Sequence, residues 1–252
     1  MFNSIAGKVA VVTGGNSGIG RATAMCFARH GVRVAIAARR TIESLDVVQS
    51  IEKEGGEALF VQTDVSKASE VQRLIEAVIC RWRQLDFAFN NAGIEGTPYV
   101  PTAEYSENVW DQVLEINLKG VFMSMKYEIP AMLQHRFGVI VNMSSLAGIT
   151  GGRVGSAYYA SKHGVIGITK AAAVEYAGLG IRVNAVCPGV IQTPMAERSF
   201  KDEQLKEMLP RYPMGRFGTV DEVAGAVVWL CSGAASFITG HCLQLDGGFA
   251  AR

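Results

Sequence analysis

The chain has 252 residues, 49% of them hydrophobic and 19% charged, with a formal net charge of +1. This composition excludes a disordered chain, and the balanced charge without a basic block gives no nucleic-acid surface. The stretch Met1 to Lys8 lacks the charged-then-apolar layout of a signal peptide, and no apolar run approaches the roughly 18 residues of a membrane span. A soluble, cytoplasmic protein with no membrane partner is expected.

The first predicted strand, Lys8 to Val12, ends in Thr13-Gly14-Gly15-Asn16-Ser17-Gly18-Ile19-Gly20, and a helical pattern follows. Strand, glycine turn and helix in that order bring backbone N–H groups and a helix dipole onto a pyrophosphate. The glycines at 14, 18 and 20 depart from the Gly-x-Gly-x-x-Gly spacing, and a glycine turn by itself serves tight packing equally well. The second strand, Val34 to Ala38, ends without the acidic residue that would hold a ribose 2′-hydroxyl. Arg39 and Arg40 follow instead, suited to a 2′-phosphate. NADP(H) is therefore expected over NAD(H), which stays possible. The plain alternative is two solvated arginines opening a helix.

Ile42, Leu45, Val48 and Ile51 mark a helix that Gly55-Gly56 ends, and Ala58 to Gln62 forms a third strand. Asp64-Val65 stands where an adenine would lie. After the amphipathic run Val71 to Trp82, a fourth strand beginning Phe87-Ala88-Phe89 runs into Asn90-Asn91-Ala92-Gly93. Strict alternation of strand and helix predicts a parallel sheet covered on both faces. Ser106 is placed to cap a long helix running toward Tyr127, with Pro130 inside or just past its end. That helix carries one stripe of Trp110, Val113, Leu114, Asn117 and Val121 and a second of Leu118, Phe122 and Met125. The second stripe suits a subunit contact or a large core. Asn117 is either a buried side chain bonding backbone or a polar relay beside the site.

The fifth strand, Gly138 to Met143, leads to Ser144-Ser145, and Tyr158-Tyr159-Ala160-Ser161-Lys162 follows. On a helix, Tyr158 and Lys162 share a face, which sets an ammonium beside a phenol and favours its ionised form. Ser145 would hold a substrate oxygen, so the three suit making or breaking an alcohol O–H. A lone Tyr-x-x-x-Lys is common on surface helices; the nucleotide site gives this one its meaning. A sixth strand, Arg182 to Cys187, stops at Pro188-Gly189. From about 190 to 213 the rhythm lapses, with a short helical patch near Lys201 to Leu209, as expected of a substrate lid. Thr219 to Glu222 reads as a capping box for a last helix, Val223 to Leu230, before a seventh strand, Cys242 to Leu245. One domain, 1–252, is expected. Cys26, Cys80, Cys187, Cys231 and Cys242 read as reduced core thiols, and no Cys-x-x-Cys or His-x-x-x-His supports a metal. No Gly-x-Ser-x-Gly elbow supports a serine hydrolase.

From about Gly7 to Phe249 the sequence resembles the short-chain dehydrogenase/reductase superfamily. The resemblance is carried by Thr13-Gly14, Gly18-Ile19-Gly20, Asp64, Asn90 to Gly93, Asn117, Ser145, Tyr158 with Lys162, Pro188-Gly189 and Asp246-Gly247-Gly248. It implies a Rossmann-type, doubly wound α/β fold with a seven-stranded, mostly parallel sheet. It implies an oxidoreductase interconverting a ketone and a secondary alcohol. Tyr158 would be the acid/base, Lys162 would lower its pKa and bind the nicotinamide ribose, Ser145 would orient substrate, and Asn117 would hold a water linked to Lys162. Gly14, Ser17, Gly18, Ile19, Gly20, Arg39, Arg40, Asp64, Val65, Asn91, Ala92, Gly93, Tyr158, Lys162, Pro188, Gly189, Val190 and Thr193 would contact the cofactor. The glycine loop carries Asn16-Ser17 where some NADP-preferring relatives have a basic residue. A homotetramer is implied as well.

The candidate substrate lining is Glu95, Thr97, Leu146, Ile149, Met195, Phe200, Met208, Leu209 and Tyr212, more apolar than charged, which suits a small to medium ketone or secondary alcohol. The chain is also similar to 3-oxoacyl-acyl-carrier-protein reductases, including Met214 to Gly218. Of the two basic residues that dock the carrier there, Arg136 matches one and Leu179 stands at the other. That activity ranks second, sugar and cyclic-alcohol dehydrogenases stay open, and a catalytically silent NADP(H)-binding sensor is the rival from another class.

Overall fold

The computed structural model describes residues 5–251; residues 1–4 and 252, over which the expected domain and the leader reading extend, lie outside the described residues. Seven strands form one sheet in the order β3-β2-β1-β4-β5-β6-β7. They are β1 (Val9–Thr13), β2 (Arg33–Ala38), β3 (Ala58–Gln62), β4 (Phe87–Asn90), β5 (Gly138–Met143), β6 (Ile181–Pro188) and β7 (Cys242–Leu245). Each pairing is parallel, so the sheet expected to be mostly parallel is wholly so.

Both faces are covered, which is why the central strands read as unbroken apolar runs. Alternate residues of β1 face opposite ways. Ala10 and Val12 pack with Ala24 and Phe27 of α1 (Gly18–Arg29), Val47 and Ile51 of α2 (Thr41–Lys53), and Val223 and Val227 of the last helix. Val9 and Val11 join Leu74 and Val78 of α3 (Ala68–Trp82) on the other face. Thr13 is level with Ala37 of β2 on one side and Asn90 of β4 on the other. Strand order reverses between β1 and β4, so the carboxyl ends of these strands open a crevice, the usual ligand site of such sheets.

The long helix expected from Ser106 is divided into α4 (Glu107–Leu114), a π-helical turn (Glu115–Lys119) and α5 (Gly120–Leu133), with the solvent-facing Pro130 inside α5. Ser106 stands at the N-cap, but its side chain makes no capping bond. The second stripe is not a free face. Met125 is buried in the core beside Val121 and Leu118 packs against it, whereas Phe122 is 48% exposed.

After α6 (Ser156–Tyr176) and β6, the segment read as arrhythmic contains α7 (Pro194–Ser199), too short to show a helical period, and α8 (Asp202–Met208), the short helical patch expected near Lys201 to Leu209. Thr219 and Glu222 form a reciprocal capping box, so α9 spans Val220–Cys231 and begins three residues before the expected Val223. All five cysteines are free, but Cys80 is exposed on α3 and Cys26 and Cys242 are half-buried, which corrects the core-thiol reading for these three. Among the described residues, no helix is long and apolar enough to cross a membrane.

Candidate active site

The turn after β1 is shaped by two glycines in the left-handed region, Gly14 (φ 63°) and Gly18 (φ 51°). A Cβ on Gly14 would lie 2.9 Å from Asn91 Nδ2, and one on Gly20 would collide with the Gly14 carbonyl. Gly20 therefore acts through packing; it does not line the cleft. Thr13 and Asn91 fasten this turn to the end of β4. Thr13 Oγ1 accepts from the N–H groups of Asn91 (2.9 Å) and Ala92 (3.1 Å), while Asn91 Nδ2 donates to Thr13 O (3.0 Å) and Gly14 O (3.3 Å). At the α1 N-terminus Ser17 makes no side-chain cap and no acidic residue occupies the first turn. Its N–H groups and dipole suit an anion.

A cavity of about 470 Å³ runs from this turn along the carboxyl ends of the strands. It is lined by Gly14, Ser17, Gly18, Ile19, Arg39, Arg40, Asp64, Val65, Asn91, Ala92, Gly93, Tyr158, Lys162, Pro188 and Thr193, all expected from the sequence. Gly189 and Val190 face a second cavity instead. Sequence reasoning missed Asn16, Thr63, Ser144 and Arg198 on the first wall. Asn16 lies within the glycine motif itself, and with its amide oxygen toward Arg40 it accepts from Nε and Nη2, both at 3.1 Å.

The two arginines differ. Arg40 also donates to Glu43 (2.8 Å) and to Ser17 Oγ (3.3 Å), which braces the glycine turn. Arg39 lies beside Ala38 in the cavity, and its charge helps Asp64 stay ionised. Burial pushes the Asp64 carboxyl up, but hydrogen bonds from Ser66 and the charges of Arg39 and Lys67 outweigh it and hold the group below its usual range.

The second cavity, about 760 Å³, shares Ile19, Glu95, Tyr158, Pro188, Thr193 and Met195 with the first, so the two meet at the Tyr158 phenol. Ser145 lies on the second cavity beside that phenol, and its Oγ accepts from Ala147 N at 3.1 Å. Lys162, one turn along α6, is buried and donates to Met143 O at 2.8 Å, with Nζ 5.5 Å from the Tyr158 ring centroid. Burial pushes Tyr158 up to about 12 against the opposing effect of the Ser145 hydroxyl, and pushes Lys162 down to about 8. The expected lowering of the phenol by Lys162 is not seen: burial dominates at Tyr158, and the ammonium is turned to the Met143 carbonyl.

Asn117 is buried in the π-helical turn and touches neither cavity. Its Oδ1 accepts from Ile94 N (2.8 Å) and its Nδ2 donates to Ile94 O (2.9 Å) and Ser161 Oγ (3.3 Å). Both ends of the amide are engaged, which is the backbone-bonding alternative read from the sequence.

Of the expected substrate lining, Glu95, Leu146, Met195, Phe200, Met208 and Tyr212 face the second cavity, whereas Thr97, Ile149 and Leu209 do not. The charged Arg153, Glu207 and Arg211 do, as do Tyr99 and Tyr159, so the wall is more polar than expected. Arg198 of α7 pairs with Glu95 at 3.1 Å, tying the 190–213 segment to the loop after β4. Among the described residues no group of three or more His, Cys, Asp or Glu is placed to hold a metal.

A family model described as enoyl-(acyl carrier protein) reductase matches residues 14–250. The chain is 40% identical over 252 residues to a cyclohexanol dehydrogenase of Acinetobacter sp. (strain SE19), covering 100% of this chain and 98% of that protein. It is 41% identical over 243 residues to the 3-oxoacyl-acyl-carrier-protein reductase FabG of Thermotoga maritima, covering 96% and 97%. A crystal structure of levodione reductase superposes with a TM-score of 0.94 at 36% identity, covering 98% of this chain and 99% of that one.

Proposed function

The chain belongs to the short-chain dehydrogenase/reductase superfamily, and from that premise we propose that it interconverts a ketone and a secondary alcohol with NADP(H), using Tyr158 as acid/base. The observation that carries this reading is the meeting of a nucleotide-shaped cleft and a second cavity at one phenol. The donor set fits a dinucleotide: a glycine turn that a Cβ would fill, an uncapped helix N-terminus, and arginines at the end of β2. Gly14, Ser17, Gly18 and Ile19 would hold the pyrophosphate; Arg39 and Arg40 the 2′-phosphate; Asp64 and Val65 the adenine. Asn91, Ala92, Gly93, Lys162, Pro188 and Thr193 would hold the nicotinamide half. The nicotinamide supplies or accepts the hydride when bound.

In the reducing direction the Tyr158 hydroxyl gives its proton to the carbonyl oxygen, and Ser145 Oγ steadies that oxygen. A phenol pushed up to about 12 carries its proton at neutral pH, as a donor must, although the same burial makes it a weaker acid. In the oxidising direction the same phenol must lose its proton first. A neighbouring cation favours that form, and Lys162 is the cation in reach. Asn117 would support a water beside Lys162 through its backbone, since its amide is committed to Ile94.

Identity of 40% to a cyclohexanol dehydrogenase and 41% to a 3-oxoacyl-acyl-carrier-protein reductase does not separate the two by likeness alone. The aromatic pairs Tyr99–Phe200 and Tyr212–Phe249 on the second cavity favour a cyclic alcohol or ketone over a carrier-bound chain. Residues 190–213 would act as its lid. Free thiols fit a cytoplasmic, reducing setting, and exposed Phe122 on α5 and Val174 on α6 fit burial in a homotetramer, for which sedimentation at 27.0 kDa would be the refutation.

The test is the rate of NADPH and NADH oxidation with cyclic ketones, diketones and 3-oxoacyl thioesters, with Tyr158→Phe alongside. Tyr158→Phe is expected to keep cofactor affinity and to lose at least about a hundredfold in turnover. Unchanged turnover overturns the assignment.

A further inference from the structure

Beneath the crevice, Asn90 at the end of β4, Asn142 in β5, Glu128 in α5 and Thr169 in α6 are all buried. Their hydrogen bonds run in one enforced direction. Thr169 Oγ1 donates to Val165 O at 2.7 Å, so its oxygen must accept, and Asn142 Nδ2 donates to it at 2.9 Å. Asn142 therefore presents Oδ1 to Asn90. Asn90 Nδ2 donates to that oxygen and to Glu128 Oε2, each at 3.0 Å, which uses both amide protons. One acceptor is left over on each of the two groups so joined: Asn90 Oδ1 and Glu128 Oε1 are both buried without a partner. Two bare acceptors at one buried contact need an explanation.

We propose that Glu128 is kept as a neutral carboxylic acid whose Oε1–H donates to Asn90 Oδ1, closing a two-bond acid–amide ring that positions the cofactor loop after β4. A single proton supplies a partner to both orphaned oxygens. The surroundings agree: burial pushes the Glu128 carboxyl up to about 8, opposed only by the Asn90 hydrogen bond, with no charged neighbour acting on it. Glu128 touches neither cavity and acts through its neighbours. Asn91, next after Asn90, holds the glycine turn through Thr13 and Gly14. Met143, next after Asn142, gives its carbonyl to Lys162. Glu128 is thus a positioning residue for both halves of the site.

Infrared difference spectra of wild type against Glu128→Gln at neutral pH read the proton directly. The wild type is expected to show the C=O stretch of a protonated carboxylic acid that the variant lacks. Loss of a carboxylate band in its place overturns the proposal. Positioning is read by calorimetric NADP⁺ binding. Glu128→Gln puts an N–H where the acid proton would be and is expected to hold the dissociation constant within about twofold, whereas Glu128→Met, with no donor, weakens binding about tenfold. Equal affinities of the two variants overturn the positioning role. The infrared result decides the protonation state even if Glu128→Met does not fold, or if the wild type binds no nicotinamide cofactor and the functional reading fails.

Discussion

Replacing Arg39 by alanine is expected to separate recognition of a cofactor 2′-phosphate from support of the loop that would hold it. The Arg39 side chain lies open in the first cavity, and its structural duty is met by its backbone, whose carbonyl accepts from Gln62 Nε2 at 3.0 Å. Arg40 is already engaged by Glu43, Ser17 and Asn16. A charge-assisted hydrogen bond contributes about 1.5–3 kcal/mol, which at about 1.4 kcal/mol per decade is roughly a ten- to hundredfold preference for NADP⁺. Arg39 is exposed, so the lower half of that range applies, and salt weakens it over a Debye length of about 8 Å. Dissociation constants for NADP⁺ and NAD⁺ would be measured calorimetrically at two salt concentrations for wild type, Arg39→Ala and Arg40→Ala. Arg39→Ala is expected to weaken NADP⁺ about tenfold and to leave NAD⁺ within about threefold, while Arg40→Ala weakens both. Wild type binding NAD⁺ more tightly than NADP⁺, or Arg39→Ala weakening both equally, would refute the reasoning.

Gly20→Ala forces a Cβ against the Gly14 carbonyl and 2.6 Å from Asn91 Nδ2, so the turn must shift. A stability loss of about 1–3 kcal/mol in urea, together with weakened binding of both cofactors, is expected. The pH dependence of stability follows from Glu128, whose folded pKa of about 8 lies above the ordinary 4.5. Its stabilising contribution is complete below 4.5 and is lost as pH rises through 8. Denaturation across that window should show wild type losing ground to Glu128→Gln by at most about 1.4 kcal/mol per pH unit, and a flat difference would contradict it.

The sheet was legible because strands buried on both faces leave apolar runs bounded by glycine, as at Val9–Thr13 before Gly14. Tyr158 and Lys162 were legible because the helix alone brings them together. What escaped depends on contacts between distant segments. Glu128 lies in a helix between Tyr127 and Ile129, and only the fold puts it against Asn90, 38 positions away. The Arg198–Glu95 pair spans 103 positions and arises in a helix too short to announce itself. The division of the helix at Asn117 needs the backbone of Ile94 to explain it. At Tyr158 the neighbouring charge of Lys162 was legible, but the depth of burial that pushes the phenol up was not.

The shared wall at Tyr158 also marks a division of the chain by position. The first cavity draws mainly on residues before 96, and the second mainly on 145 and beyond. Substitutions after residue 145 can therefore reshape the second cavity while the part of the first cavity's wall built before residue 96 keeps its residues.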